Sequence, residues 1–173
     1  NKCVEKKLIS HNPTNGIRLS QVDEVTKEIL TLKEIQKLAV TSCPNNEVKR
    51  AFLFSCYCGL RWCDVYQLRY KEVDFPARRL TIIQQKVQTH SKSAILLLNL
   101  SHTALKLLQK CNGDREDLVF SLPSYSYTIR ILRKWVIDAN IRKHITLHCA
   151  SHSFITNIMA NGANINTAAS LAG

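Results

Sequence analysis

Residues 58–64 have the sequence Cys-Gly-Leu-Arg-Trp-Cys-Asp and join two predicted helices. The apolar residues of 47–58 recur at helical spacing, which predicts the first of these helices. Gly59 is expected to end it, because glycine adopts the left-handed backbone conformation without steric cost. A second, short helix is predicted over about 62–68. Arg61 therefore stands at the start of a helix, directly after a tight turn.

The segment on the N-terminal side of this pair begins with a helix-start pattern. Thr31 and Glu34 have the spacing of a capping box, in which each side chain accepts a hydrogen bond from the backbone of the other residue. A helix is predicted from Leu30 to about Ser42. Residues 14–29 are polar and aperiodic, which indicates a linker.

On the C-terminal side, 79–86 and 93–100 are β-like and flank a polar turn, which predicts an antiparallel hairpin. Ser101 is expected to cap a helix that follows. A later amphipathic helix over 126–140 has Ile129, Leu132, Val136 and Ile137 at helical spacing, and two more helices are predicted over about 148–161 and 165–171. The predicted fold class is mainly α with a small antiparallel β-hairpin or sheet (α+β).

Composition favours a basic globular domain. The 173 residues are 45% hydrophobic, and 24 Lys and Arg against 13 Asp and Glu leave a net charge of +11. Such an excess favours a polyanionic partner such as nucleic acid over a merely soluble basic domain. No apolar run approaches the roughly 20 residues of a membrane span. With no initiator Met and no signal-like start, we expect a fragment of a longer, cytoplasmic bacterial protein.

Seven cysteines raise the question of disulfides or zinc. There is no C-x-x-C pair, and an odd count without a signal peptide favours reduced, buried thiols. His148 and His152 stand four apart, a spacing that can bind metal on a helix, but no third ligand has a recognisable spacing. No metal site and no cofactor are predicted.

Three segments, in order, resemble the catalytic domain of the tyrosine recombinase (phage integrase) family, found in integrases of mobile elements. Residues 58–64 resemble its T-G-L-R-x-x-[ED] box, and Gln-Gln-Lys at 84–86 falls where the family has its hairpin lysine. The sequence His-Cys-Ala-Ser-His-Ser-Phe at 148–154 resembles its H-x-x-R-H-[ST]-F box, and the N-G-A and L-L-G-H signatures resemble 161–163 and 171–173. The resemblance covers 30–173, and it makes 1–13 the tail of a preceding core-binding domain.

The resemblance implies site-specific cutting and rejoining of double-stranded DNA through a 3′-phosphotyrosyl intermediate. Arg61 would clamp the scissile phosphate, because its planar fork donates two hydrogen bonds. Lys86 would contact the DNA and protonate the leaving 5′-oxygen as a general acid. His148 would bind the phosphate or assist proton transfer. Asp64 would orient Arg61 or cap its helix, and His152 would pack beside the site without contacting the phosphate. We expect these groups to line one concave, basic surface.

Each of these residues also has an ordinary structural interpretation. Arg61 alone would be a surface arginine at a helix start, and His148 alone a structural histidine. Lys86 would be an exposed hairpin lysine, with Lys92 as a competing choice on the return side. The order of the three boxes favours the functional interpretation.

Two departures from the family pattern matter. Ser151 stands where the family has its second phosphate-clamping arginine, and losing one such donor costs on the order of 10²–10³ in rate. Ser151 is an engineered change, a natural degeneration, or a change compensated by a nearby cation such as Arg142 or Lys143. The chain also ends before the family's nucleophile, since no matching position is occupied by Tyr57, Tyr66, Tyr70, Tyr125 or Tyr127. We therefore expect this fragment to be inactive by itself.

Two other functions stay open. One is a non-catalytic DNA-binding module on the same fold, with Ser151 as the sign of lost catalysis. The other is a helix-turn-helix regulator, in which neither Lys86 nor the Gly-Leu-Arg turn would have a role. By resemblance, the full-length recombinase would act as a homotetramer on DNA.

Overall fold

The structure, a computed structural model, describes residues 6–7, 10–11, 28–83, 95–109, 113–166 and 168. The named elements within these ranges are six helices, three strands and a 3-10 turn (Tyr70–Glu72). They are α1 (Leu32–Val40), α2 (Asn46–Cys58), α3 (Trp62–Gln67), β1 (Val73–Asp74), β2 (Arg79–Ile83), β3 (Ile95–Asn99), α4 (His102–Leu108), α5 (Tyr125–Asp138) and α6 (Leu147–Ala160). This confirms a mainly α fold with a small antiparallel sheet.

The helix-start patterns in the sequence are confirmed. Thr31 Oγ1 accepts a hydrogen bond from the Glu34 amide at 3.3 Å, and a Glu34 carboxylate oxygen accepts one from the Thr31 amide at 2.8 Å. Ser101 caps α4 through the Ala104 amide at 3.2 Å. The cap of α2 was not predicted, and it is Asn45, whose side chain accepts from the Val48 amide at 3.0 Å.

The sheet has the order β1-β2-β3, with both neighbouring pairs antiparallel. Leu80 lies opposite Leu98 and Ile82 opposite Leu96, and all four side chains are buried against the helices. The predicted hairpin is confirmed in these two strands. The third strand, β1, was missed because it has only two residues. The predicted turn, with Lys86 and Lys92, lies outside the described residues.

Helix α2 is the centre of the core and packs against α4 and α6. Its Phe52 ring meets Trp135 of α5 edge to face, with ring centroids 5.9 Å apart. Trp135 is completely buried, whereas Ile137 is 73% exposed, so the prediction that Ile137 faces the core was wrong. The buried stripe of α5 consists of Thr128, Ile131, Leu132, Trp135 and Val136.

The buried thiols are confirmed in part. Cys56, Cys58 and Cys149 are free and buried, and burial raises the pKa of Cys58 to about 12. Cys63 is also free but exposed, so the expectation of burial was wrong there. Its position on the first turn of α3 places its side chain on the outer face. Among the described residues, no helix is both long and apolar enough to cross a membrane.

An ion pair fastens α1 to the loop before α6. Lys143 Nζ lies 2.7 Å from a carboxylate oxygen of Glu34 and also donates to the Ile29 carbonyl at 2.8 Å. Burial by itself would raise the pKa of Glu34, but hydrogen bonds from Lys143 and Thr31 outweigh burial and hold this pKa below its usual value of 4.5. The ionised carboxylate therefore stabilises the folded state.

Glu34→Gln is expected to lower the free energy of unfolding at pH 7, with an effect that shrinks as the pH falls below about 4.5. The sign follows because a carboxyl with a depressed folded-state pKa loses its stabilising contribution on protonation. Glutamine preserves the capping-box geometry, so the ion pair is the main loss. Urea unfolding of both proteins at pH 3 and pH 7 measures this, and an equal deficit at both values would contradict it.

Candidate functional site

The turn that carries Arg61 is held by one buried serine of α2. The Ser55 carbonyl accepts from the Gly59 amide at 2.9 Å, and the Ser55 hydroxyl donates to the Leu60 carbonyl at 2.7 Å. Gly59 has the predicted left-handed conformation, with φ +78°. Arg61 follows in an extended conformation as the N-cap residue of α3 and is partly exposed.

The first and third boxes of the sequence meet at Gly59. A Cβ atom on Gly59 would lie 2.5 Å from Cδ1 of Phe154 on α6, closer than real Cβ atoms approach. Glycine is therefore required here for two independent reasons, its backbone conformation and the approach of Phe154. This contact sets the spacing between the Arg61 turn and α6.

His148 lies in the first turn of α6 with its side chain exposed. It borders a cleft of about 320 Å³, whose other lining residues are Trp62, Cys63, Tyr66, Gln67 and Tyr125. Trp62 and Cys63 directly follow Arg61, so the helix that begins at Arg61 and the helix that carries His148 form walls of the same cleft. The structure thus brings the first and third boxes together at one surface.

Three residues of this cleft were missed by the sequence analysis. Tyr66 and Gln67 stand three to five positions after Trp62 and Cys63, so the helical period of α3 could have predicted their shared face. Tyr125 comes from the start of α5, far away in sequence, and no local pattern indicated it. Partial burial, the larger cause, and the nearby Asp64 both raise the pKa of the Cys63 thiol, which therefore stays protonated at neutral pH.

Ser151 lies one turn after His148 on α6 and is partly exposed. Its hydroxyl donates to the His148 carbonyl at 3.2 Å, so it is engaged with its own helix. Of the two cations considered as replacements for the family arginine, Lys143 is held by Glu34 and the Ile29 carbonyl. Arg142 is exposed in the same loop and is the better candidate.

The remaining predicted site residues occupy different environments. Asp64 is buried in the first turn of α3, with its backbone amide bonded to the Arg61 carbonyl at 3.0 Å. His152 is exposed on α6, and Lys86 lies outside the described residues. Within the described ranges, no group of three or more His, Cys, Asp or Glu side chains could hold a metal ion. The roles of Asp64, His152 and Lys86 stay predictions.

Comparison with known proteins decides the family. Residues 28–173 match the Phage integrase family. The chain belongs to this family. A tyrosine recombinase of Pseudothermotoga lettingae is 27% identical over 165 residues, covering 94% of this chain and 57% of its own length. The chain thus spans a little over half the length of this relative.

Solved structures share the fold of this chain. The Tn1549 transposon integrase in complex with transposon right end DNA superposes with a TM-score of 0.73 at 16% identity, covering 99% of this chain and 66% of that one. The catalytic domain of bacteriophage HP1 integrase has a TM-score of 0.59 at 19% identity, covering 84% of this chain and 79% of that domain. At such identities the likeness shows a shared catalytic-domain fold.

Proposed function

We propose that this chain is part of a site-specific DNA recombinase and binds the scissile phosphate of double-stranded DNA beside the cleft. The observation that carries the proposal is the common surface of the Arg61 helix and His148. The arginine that begins one of these helices and the exposed imidazole on the other would suit a phosphodiester, whose charge grows in the transition state. Membership of the phage integrase family and the net charge of +11 support the same partner.

The proposed chemistry is an in-line displacement at phosphorus. A tyrosine oxygen forms a bond to phosphorus as the bond to the 5′-oxygen breaks, and the tyrosine proton leaves to a base. Lys86 protonates the departing 5′-oxygen, while Arg61 and His148 stabilise the negative charge on the non-bridging oxygens. Rejoining reverses these steps, and the phosphotyrosyl bond conserves the energy needed for it.

One observation favours a second candidate function, a non-catalytic DNA-binding module. The Ser151 hydroxyl is short, neutral and hydrogen-bonded to its own helix, so it supplies no charge for the transition state. Binding requires less charge compensation than cleavage, because the ground-state phosphate carries a single charge.

The first proposal also includes the assembly and location of the protein, which would act as a homotetramer on DNA in the bacterial cytoplasm.

We expect the chain to bind duplex DNA with little sequence preference and with affinity that falls steeply as salt rises. Arg61→Gln should weaken binding about tenfold, the usual worth of a charge-assisted phosphate contact. It should also reduce the slope of log K against log salt by about one. Fluorescence anisotropy with a labelled duplex, titrated at several salt concentrations, measures both quantities.

The matched control is Arg115→Gln, which removes the same charge from an exposed arginine of another loop. It should change the affinity far less than Arg61→Gln. Equal losses in the two variants would mean that net charge alone binds DNA, and salt-independent binding would contradict the proposal altogether.

A further inference from the structure

Residues 28–31, called here the strap, lie across α6 and the loop before it. The Leu30 amide donates to Ser153 Oγ at 2.7 Å, and Asn157 Nδ2 donates to the Leu30 carbonyl at 2.9 Å. Both polar backbone groups of Leu30 are thus bound by α6, and its side chain is completely buried. Ser153 and Asn157 are one helical turn apart, so they present a single face of α6 to the strap.

The strap is also bound by the loop that leads into α6. Lys143 Nζ donates to the Ile29 carbonyl at 2.8 Å, and the His144 amide donates to the Glu28 carboxylate. Lys143 precedes His148 by five residues, and Ser153 follows it by five. The strap therefore contacts the chain on both sides of His148 and holds the first turn of α6 between two attachments.

These attachments lie away from the cleft. Five residues along a helix correspond to roughly 140° of rotation beyond a full turn, which places Ser153 on the face of α6 opposite His148. Ser153 is fully buried, and its hydroxyl also donates to the Cys149 carbonyl at 2.6 Å. The strap therefore contacts α6 on the face away from His148, through residues that are not among those lining the cleft.

We propose that Ser153, Asn157 and Lys143 are positioning residues, which couple the strap to the first turn of α6 and thereby set the location of His148 and Ser151. The functional meaning of this coupling rests on the proposed function, since His148 contacts the scissile phosphate in that proposal. The family match begins at residue 28, so the strap is the first matched segment of the chain, and its displacement would reach α6 by this route.

Hydrogen–deuterium exchange of the whole chain without DNA tests the coupling directly. Ser153→Ala leaves the Leu30 amide buried without its acceptor, and it should speed exchange in both 28–31 and 147–153 about tenfold. Helix α2 should keep its protection. Ser153→Thr retains the hydroxyl and should restore slow exchange in both segments.

The matched control is Thr128→Val on α5. Thr128 is also completely buried, and its hydroxyl donates to the Pro123 carbonyl at 3.3 Å. It should leave 28–31 and 147–153 unchanged. The proposal is overturned if Ser153→Ala frees the strap but not 147–153, or if both variants raise exchange evenly along the chain.

Exchange with duplex DNA present separates this inference from the proposed function. In the wild-type chain, DNA should slow exchange in 147–153 and in the strap together, whereas in Ser153→Ala it should slow only 147–153. A lack of DNA protection at 147–153 in the wild type would contradict the proposed function alone. Equal DNA protection of the strap in both proteins would contradict the coupling.

Discussion

Ser151→Arg is expected to raise DNA strand cleavage by at least about a hundredfold in a protein that carries this chain together with the family's tyrosine nucleophile. Ser151 is partly exposed one turn after His148 on α6, so an arginine there would be long enough to reach the cleft that His148 borders. It would add a second bidentate donor to the phosphorane oxygens, while in the proposed function Arg61 holds the ground-state phosphate. DNA affinity should therefore change little, and the gain should appear in the single-turnover cleavage rate on a suicide substrate.

Two controls separate geometry from charge. Ser151→Lys adds the same charge without the planar fork and should recover only part of the gain. Thr103→Arg adds an arginine to an exposed position on α4 and should leave cleavage unchanged. If Ser151→Arg has no effect in an active protein, Arg142 already supplies the charge. If the protein stays inactive with arginine at 151, the DNA-binding module becomes the better interpretation.

Gly59→Ala is expected to lower the free energy of unfolding by about 2–5 kcal/mol. The left-handed backbone at φ +78° costs an alanine about 1–2 kcal/mol. Insertion of a methyl group 2.5 Å from Cδ1 of Phe154 adds about 1–3 kcal/mol, because the Phe154 ring must shift to accept it. Chemical denaturation followed by circular dichroism measures the sum.

Gly162→Ala separates the two costs. Gly162 also has a positive φ, +95°, but no described atom lies within 4 Å of the position that its Cβ would take. It should therefore show only the backbone cost, about 1–2 kcal/mol. Equal destabilisation in the two variants would mean that the Phe154 contact relaxes freely. A larger loss at Gly59, together with weaker DNA binding, would link this contact to the site.

The two boxes of the site could be predicted from sequence because their residues act locally. Gly59 ends a helix because glycine adopts the left-handed conformation freely. Arg61 stands two positions later in the sequence, so its place just after the turn could be predicted as well. His148 and Ser151 are one turn apart, so any helix there places them on one side. The capping box of Thr31 and Glu34 could be predicted for the same reason, since both partners lie within one helical turn.

Residues that meet across the fold were not predictable in this way. Tyr125 joins the cleft only because α5 begins beside α3, and Ile137 had the right period for the core but lies just outside the stripe that α2 covers. Arg50 is buried among the Leu107 and Leu108 carbonyls, which no helical pattern indicates.

The sequence by itself determined the helices, the order of the boxes and the identity of the charged groups, because short-range sterics and hydrogen bonding fix these within a few residues. Only the tertiary structure decided that Phe154 meets Gly59, that Lys143 is committed to Glu34, and that Ser153 and Asn157 hold the backbone of Leu30. Such contacts join residues about a hundred positions apart. Several of them end on backbone atoms, which every residue shares, so no side-chain pattern in the sequence can mark them.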